Sequence, residues 1–188
     1  MSGKYFEELE VGLSFVHQPS RTVTETDNLL FTVLSHNPQP LHLDVEFARK
    51  SQHGQILVNS MFTMALVIGL SVGDTTLGTT IGNLGMDKVE FPNPVFIGDT
   101  ITASTKVVER RESASKPDRG IVWFEHIGTN QRGEVVCSCL RKGLMLRQPT
   151  LPDAKAVEQK RAVGQGSAVG QKSAVGQKSA VGQKSTGA

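Results

Sequence analysis

The chain has 188 residues, 38% of them hydrophobic, and its 20 Lys and Arg against 18 Asp and Glu leave a net charge of +2. That apolar content supports one substantial core. The longest apolar stretch, residues 56–72, is broken by Asn59, Ser60, Thr63, Gly69 and Ser71 and falls short of the ~20 residues a membrane span requires, so no membrane partner is expected.

The N-terminal residues carry no arginine-rich presequence and no apolar run ending in small residues, so a cytoplasmic location is expected. An aromatic pair, Tyr5-Phe6, is followed by a turn at Gly12 and by alternation through Leu13, Phe15, Arg21 and Val23 that predicts a strand. Thr24 and Asp27 form a capping pair for a helix whose apolar face is Leu29, Leu30, Phe31, Val33 and Leu34. Pro38 and Pro40 stop that helix near Ser35. The decapeptide SHNPQPLHLD follows at residues 35–44, dense in hydrogen-bonding side chains, and VEFARKSQHG then predicts a short helix ending in a glycine turn. Asn59 and Ser60 are good caps for a second long helix, residues 61–72, apolar on nearly every side, which predicts that it is wrapped on nearly every side. Four segments rich in β-branched residues complete the folded part, and NQRG at residues 130–133 predicts an antiparallel hairpin between the last two.

From Leu151 the composition changes. Six-residue units, AVGQKS in three copies and two related units before them, offer only Ala and Val to bury, so residues 151–188 are expected to be a disordered low-complexity tail behind one domain over 1–150. The tail holds six basic and two acidic residues, so it carries +4 and the folded part −2; the basic excess is therefore no sign of a nucleic-acid partner. Cys137 and Cys139 lie two apart on a strand and point the same way, which predicts buried, reduced thiols rather than a disulfide. The His and carboxylate spacings match no metal motif.

One buried helix ahead of a long, curved antiparallel sheet is an α+β layer architecture. The runs YFEELEVG, PLHLDVEFA, FPNPVFIGDTITASTKVVERRES and NQRGEVVCS, in this order around the buried helix, resemble the MaoC-like dehydratases over residues 4–147. That resemblance implies the hot-dog fold, a long helix wrapped by a sheet. It also implies R-specific hydration of a 2-enoyl-CoA, or the reverse dehydration of a 3-hydroxyacyl-CoA, in a homodimer with the cleft at its interface. The coenzyme A thioester is then the substrate, with no further cofactor and no metal. His42 occupies the position of the family's catalytic His, while Asn37 stands where the family has its catalytic Asp, and Asn59-Ser60 replaces a His-Gly pair at the start of the buried helix.

An amide orients a water molecule but cannot take its proton at neutral pH, so the reading assigns His42 as base and Asn37 as the group that positions water. The first amides of the buried helix, around Asn59 and Ser60, suit a developing oxyanion, and Asp44 orients the local backbone or His42. Arg110, Arg111, Lys116 and Arg119 are candidates for the coenzyme A end, and His17, His36, His53 and His126 are read as surface or structural. A short, branched or dicarboxylic acyl group, such as mesaconyl-CoA, is the expected substrate. Two alternatives stay open: a hot-dog thioesterase, weakened because residues 61–72 hold no carboxylate, and a non-catalytic acyl-CoA binder, kept open by Asn37.

Overall fold

The computed structural model describes residues 3–149. The repeat tail and the disorder expected of it lie outside the described residues. A short 3-10 turn at Phe6–Glu8 leads into two short strands, β1 (Ser14–Val16) and β2 (Arg21–Thr22). Helix α1 (Glu25–Leu34) starts on the Thr24–Asp27 capping box: Thr24 Oγ1 accepts the Asp27 amide, and Asp27 accepts the Thr24 amide. A 3-10 turn at Pro40–His42, helix α2 (Val45–Arg49) and helix α3 (Ser60–Thr75) follow. Four long strands then fill the remainder: β3 (Thr80–Glu90), β4 (Thr100–Glu112), β5 (Arg119–Thr129) and β6 (Val135–Leu146).

All pairings are antiparallel, in the order β1-β4-β5-β6-β3, with β2 also on β4. The sheet packs its inner face, the odd residues of β4 and β6 and the even residues of β5, against α3. This is the helix-on-curved-sheet arrangement of the hot-dog fold. Close approach is possible because the sheet side of α3 is narrow. Val67 is fully buried and sits against Gly128, where any Cβ would fall 2.3 Å from a Val67 methyl. The buried hydroxyls of Ser71 and Thr75 donate back to the Ile68 and Ser71 carbonyls at 2.7 and 2.6 Å, so they need no partner from the sheet.

Two expectations for α3 require correction. The helix runs on through Gly73 to Thr75 and so includes a carboxylate, Asp74. It is also not wrapped all round: Met61, Ala65, Gly69 and Gly73, spaced four apart, form one exposed stripe. The physical reason is that the strands cover one side of the helix only. Edge strand β3, which pairs with β6 alone, leaves nearly all its residues exposed.

The NQRG hairpin forms as expected. Gly133 adopts φ +78, and Asn130 Oδ1 accepts the amides of Arg132 and Glu134. Asp99, 4% exposed, fastens this hairpin to the start of β4, accepting from Gln131 at 2.7 Å, Arg132 at 2.9 Å and the Phe96 amide at 2.9 Å. Burial alone would raise its carboxyl pKa, but these bonds, Arg132 first, outweigh burial and hold it below the usual value.

The core has two apolar clusters. One gathers Val23, Val58, Val67, Val95 and Ile101, the other Phe6, Leu9, Val107, Phe124 and Met145. Between them lies a hydrogen-bonded chain built from His17 and His126, which had been read as surface or structural; both are buried, at 3% and 0% exposure. An arginine only donates, so Arg141 Nε–H must donate to His126 Nε2, at 3.0 Å. His126 Nδ1–H then donates to Thr105 Oγ1 (2.8 Å), the Thr105 hydroxyl pairs with His17 Nε2 (2.8 Å), and His17 Nδ1–H donates to Asp74 Oδ2 (2.7 Å). The Arg141 donor thus fixes His126 as the neutral tautomer with its proton on Nδ1. Burial lowers the His126 pKa from 6.5 to about 3, with Arg141 and His17 adding to the effect.

This arrangement has a signed consequence for stability. Above pH 6.5 the imidazole is neutral in both the folded and the unfolded chain, and its full contribution is present. Between pH 6.5 and about 3 the unfolded chain binds a proton that the folded chain refuses, so stability falls by about 1.4 kcal/mol per pH unit from this residue. Denaturant unfolding at pH 7.5, 6.0 and 4.5 should show that loss in the wild type and a slope shallower by about this amount in His126→Asn.

Candidate active site

The site is assembled on helix α1. Asn28 and Thr32 lie one turn apart on the buried side of that helix, 2% and 0% exposed. Asn28 Nδ2 donates to the His42 carbonyl at 2.9 Å, and its Oδ1 accepts the Asn59 amide at 2.9 Å. Thr32 accepts from Asn59 Nδ2 at 3.4 Å through its hydroxyl and from the Asn37 amide at 3.0 Å through its carbonyl. Two residues of α1 therefore hold the 35–44 loop against the first turn of α3. Sequence reasoning missed Asn28, whose only signal is a polar side chain on the helix face that must pack inward.

The loop carries His42 on the last residue of the Pro40–His42 turn. Gln39 caps this turn, and Pro40 supplies a preset φ at its first position. The half-buried His42 ring makes one hydrogen bond, Nδ1 to the Leu57 carbonyl at 2.7 Å. A carbonyl only accepts, so Nδ1 bears the proton and Nε2 is left as the basic nitrogen. The ring is thus oriented by one bond rather than locked by two.

The other expected site residues bond to the local backbone. Asn37 Oδ1 accepts the Gln39 amide at 3.0 Å, closing an Asx turn, and Asn37 and His42 share no hydrogen bond. Asp44 Oδ1 accepts the amides of Glu46 and Phe47 at 2.9 and 3.0 Å. It caps α2 and orients backbone, and makes no hydrogen bond to His42. Asn59 caps α3 by accepting the Met61 amide at 3.0 Å, while its own N–H is taken by Asn28. The first-turn N–H groups without a protein partner among the described residues are those of Ser60 and Phe62, and Ser60, at the first helical position, lines the adjoining cavity.

A cavity of about 250 Å³ opens beside this helix start, walled by Leu57, Val58, Ser60 and Thr63 on one side and the 91–95 loop on the other. Leu57 is shared between the two features: its carbonyl orients His42 and its residue lines the cavity. Asp74 stands at the opposite end of α3, about 20 Å along the axis from Ser60, with one oxygen held by His17. Among the cationic candidates for the coenzyme A end, Arg110 donates to the Phe6 and Glu7 carbonyls, Arg119 pairs with Asp118, and Arg111 lies over the Trp123 ring. Among the described residues no three His, Cys, Asp or Glu side chains cluster as a metal site, and no helix is long and apolar enough to cross a membrane.

Comparison with known proteins places this geometry. Mesaconyl-CoA hydratase of Cereibacter sphaeroides is 31% identical over 155 residues, covering 82% of this chain and 45% of that protein. The chain thus spans about half the length of that curated relative. The MaoC-like dehydratase structure from Rhodospirillum rubrum superposes with a TM-score of 0.70 at 33% identity, covering 79% of this chain and all of that one. A Mycobacterium tuberculosis protein described as a double hotdog fold superposes at 0.72 over 81% of this chain and 47% of its own, at 21% identity, a likeness of fold alone. The model of the MaoC like domain matches residues 7–128, which include α1, the His42 loop and α3, and the chain belongs to that family.

Proposed function

We propose that the chain hydrates a 2-enoyl-CoA, or dehydrates the corresponding 3-hydroxyacyl-CoA, with His42 as its single acid-base group. The observation that carries this reading is the His42–Leu57 hydrogen bond, which fixes the proton on Nδ1 and presents Nε2 as the base. Nε2 takes one proton from water as the hydroxyl oxygen bonds to the β-carbon, and the electron pair of the double bond moves onto the thioester oxygen. The Ser60 N–H, strengthened by the helix dipole, holds that oxyanion. The enolate then collapses as the α-carbon takes the proton back from the imidazolium, so atoms and charge balance without a second base. Asn37 is read as a shaping group that positions water, since its amide cannot accept the proton.

The cavity of about 250 Å³ lies below the ~300–1,000 Å³ typical of drug-sized ligands. That size supports a short, branched or dicarboxylic acyl group, with mesaconyl-CoA as the example suggested by the Cereibacter sphaeroides relative. The reaction as written draws on no cofactor beyond the coenzyme A of its substrate. The buried free thiols of Cys137 and Cys139, the former with its pKa pushed up to about 12 by burial and then by Cys139, suit a reducing, cytoplasmic setting.

We read the functional unit as a homodimer joined edge to edge through β3. This strand exposes Ile81, Leu84 and Val89 along an edge that pairs on one side only. An open apolar edge needs a partner.

Crotonyl-CoA hydration, followed by loss of the conjugated absorbance, should fall about 100-fold or more in His42→Ala; equal rates in the two proteins overturn the reading. Asn28→Ala leaves the Asn59 N–H and the His42 carbonyl without partners, at about 1–3 kcal/mol for each buried group. It should lower both Tm and kcat with His42 intact, as thermal unfolding and steady-state kinetics would show. Light scattering should give a mass twice the 20.3 kDa of one chain, and Leu84→Lys should shift it toward one.

A further inference from the structure

We propose that His53 receives a carboxylate at the far end of the acyl group and so sets a preference for dicarboxylic over plain alkyl substrates. The inference rests on the hydratase reading above, since the cavity concerned is the one assigned there to the acyl group. His53 belongs to the turn after α2 and lines that cavity together with Ser60 and Thr63 of α3 and Phe91, Pro92, Asn93 and Pro94 of the loop after β3.

Among those lining residues His53 is the one titratable side chain, and none is an Asp or Glu. Its ring is oriented by packing: the centroid lies 6.2 Å from that of Phe96, edge to face at 61°. Its hydrogen-bonding capacity is almost unused. The one side-chain contact is to Gln52 Nε2 at 3.4 Å, near the limit of a hydrogen bond, and Nδ1 makes none. Nearby, the Ser60 hydroxyl makes no hydrogen bond and that of Thr63 reaches the Asn59 carbonyl only at 3.5 Å. Asn93 donates to the Val135 carbonyl at 2.9 Å, which with Pro92 and Pro94 keeps the opposite wall in place.

A hydrocarbon tail filling this space would strip water from His53 and the Ser60 hydroxyl and return no hydrogen bond, which is costly. A carboxylate meets donors and no like charge. With the carboxylate as ionised acceptor, its bonds to an imidazole N–H and to hydroxyls are the charge-assisted kind, shorter and stronger than neutral ones. The short cavity also keeps the acyl group short enough for its far end to stay within reach of the wall that carries His53.

The experiment uses the full chain and two saturated analogues of equal carbon count, succinyl-CoA and butyryl-CoA, titrated by calorimetry into the wild type, His53→Phe and His53→Lys. The expected result is a preference for succinyl-CoA of about tenfold or more in the wild type, its loss in His53→Phe and its retention in His53→Lys, where an N–H donor to the carboxylate is kept. Equal binding of the two analogues by the wild type, binding of neither, or an unchanged ratio in His53→Phe overturns the assignment. Turnover of mesaconyl-CoA and crotonyl-CoA by the same proteins separates the two claims. A His53-dependent binding preference without hydration of either substrate defeats the hydratase reading and leaves the role of His53 standing.

Discussion

The carboxamide of Asn28 is the constraint on which the candidate site depends. It donates to the backbone of the His42 turn and accepts from the backbone at the start of α3, both at 2.9 Å. A buried amide with donor and acceptor both used is held from two directions, and here those directions are the His42 turn and the first turn of α3. Thr32, one turn on, repeats the device with its hydroxyl and its carbonyl. Neither residue has to touch substrate for the geometry to depend on it. Together with the His42–Leu57 bond, both restrain the relative position of groups separated by a 16-residue stretch that holds one short helix, α2.

The interior shows why polar groups belong in this core. Two apolar clusters lie on either side of the Arg141–His126–Thr105–His17–Asp74 chain, which ties β6, β5, β4, the segment after β1 and α3 together. Apolar packing is tolerant of sliding, whereas a line of donors and acceptors fits one register. The chain therefore contributes specificity of alignment beside whatever it adds to stability. Arg141 is itself 3% exposed, its guanidinium lies 5.0 Å from the Phe124 ring centroid, and its Nη2 is left without a protein partner among the described residues.

Much of this architecture is legible in the amino-acid order, and what escapes does so for definable reasons. Thr24–Asp27 capping, the apolar run of α3 and the NQRG hairpin are local devices, each complete within a few residues, and they appear where they are expected. Asp74 lies beyond the expected helix end at residue 72, because the helix passes through Gly73; that glycine sits on the exposed stripe, where nothing crowds it. Asn28, His17 and His126 escape because their partners lie 14 to 88 residues away, and no local pattern announces a bond across that span. Asn59 illustrates the same limit at the site. Its cap is readable from its neighbours, while the loss of its N–H to Asn28 is visible only in three dimensions.

The fastening of Asp99 to Gln131 and Arg132 has a consequence for the order of assembly. It closes a loop of about 30 residues around the β4–β5 pair, at the turn that leads into β6. Closure entropy grows with loop length, so these contacts are the cheaper ones to make first. Strand β1 must find β4 across some 90 residues of chain, with Ser14 opposite Lys106. His17, just after β1, therefore ties the buried hydrogen-bonded chain to the most distant closure in the sheet, so the integrity of the polar core reports on whether the two ends of the domain are joined.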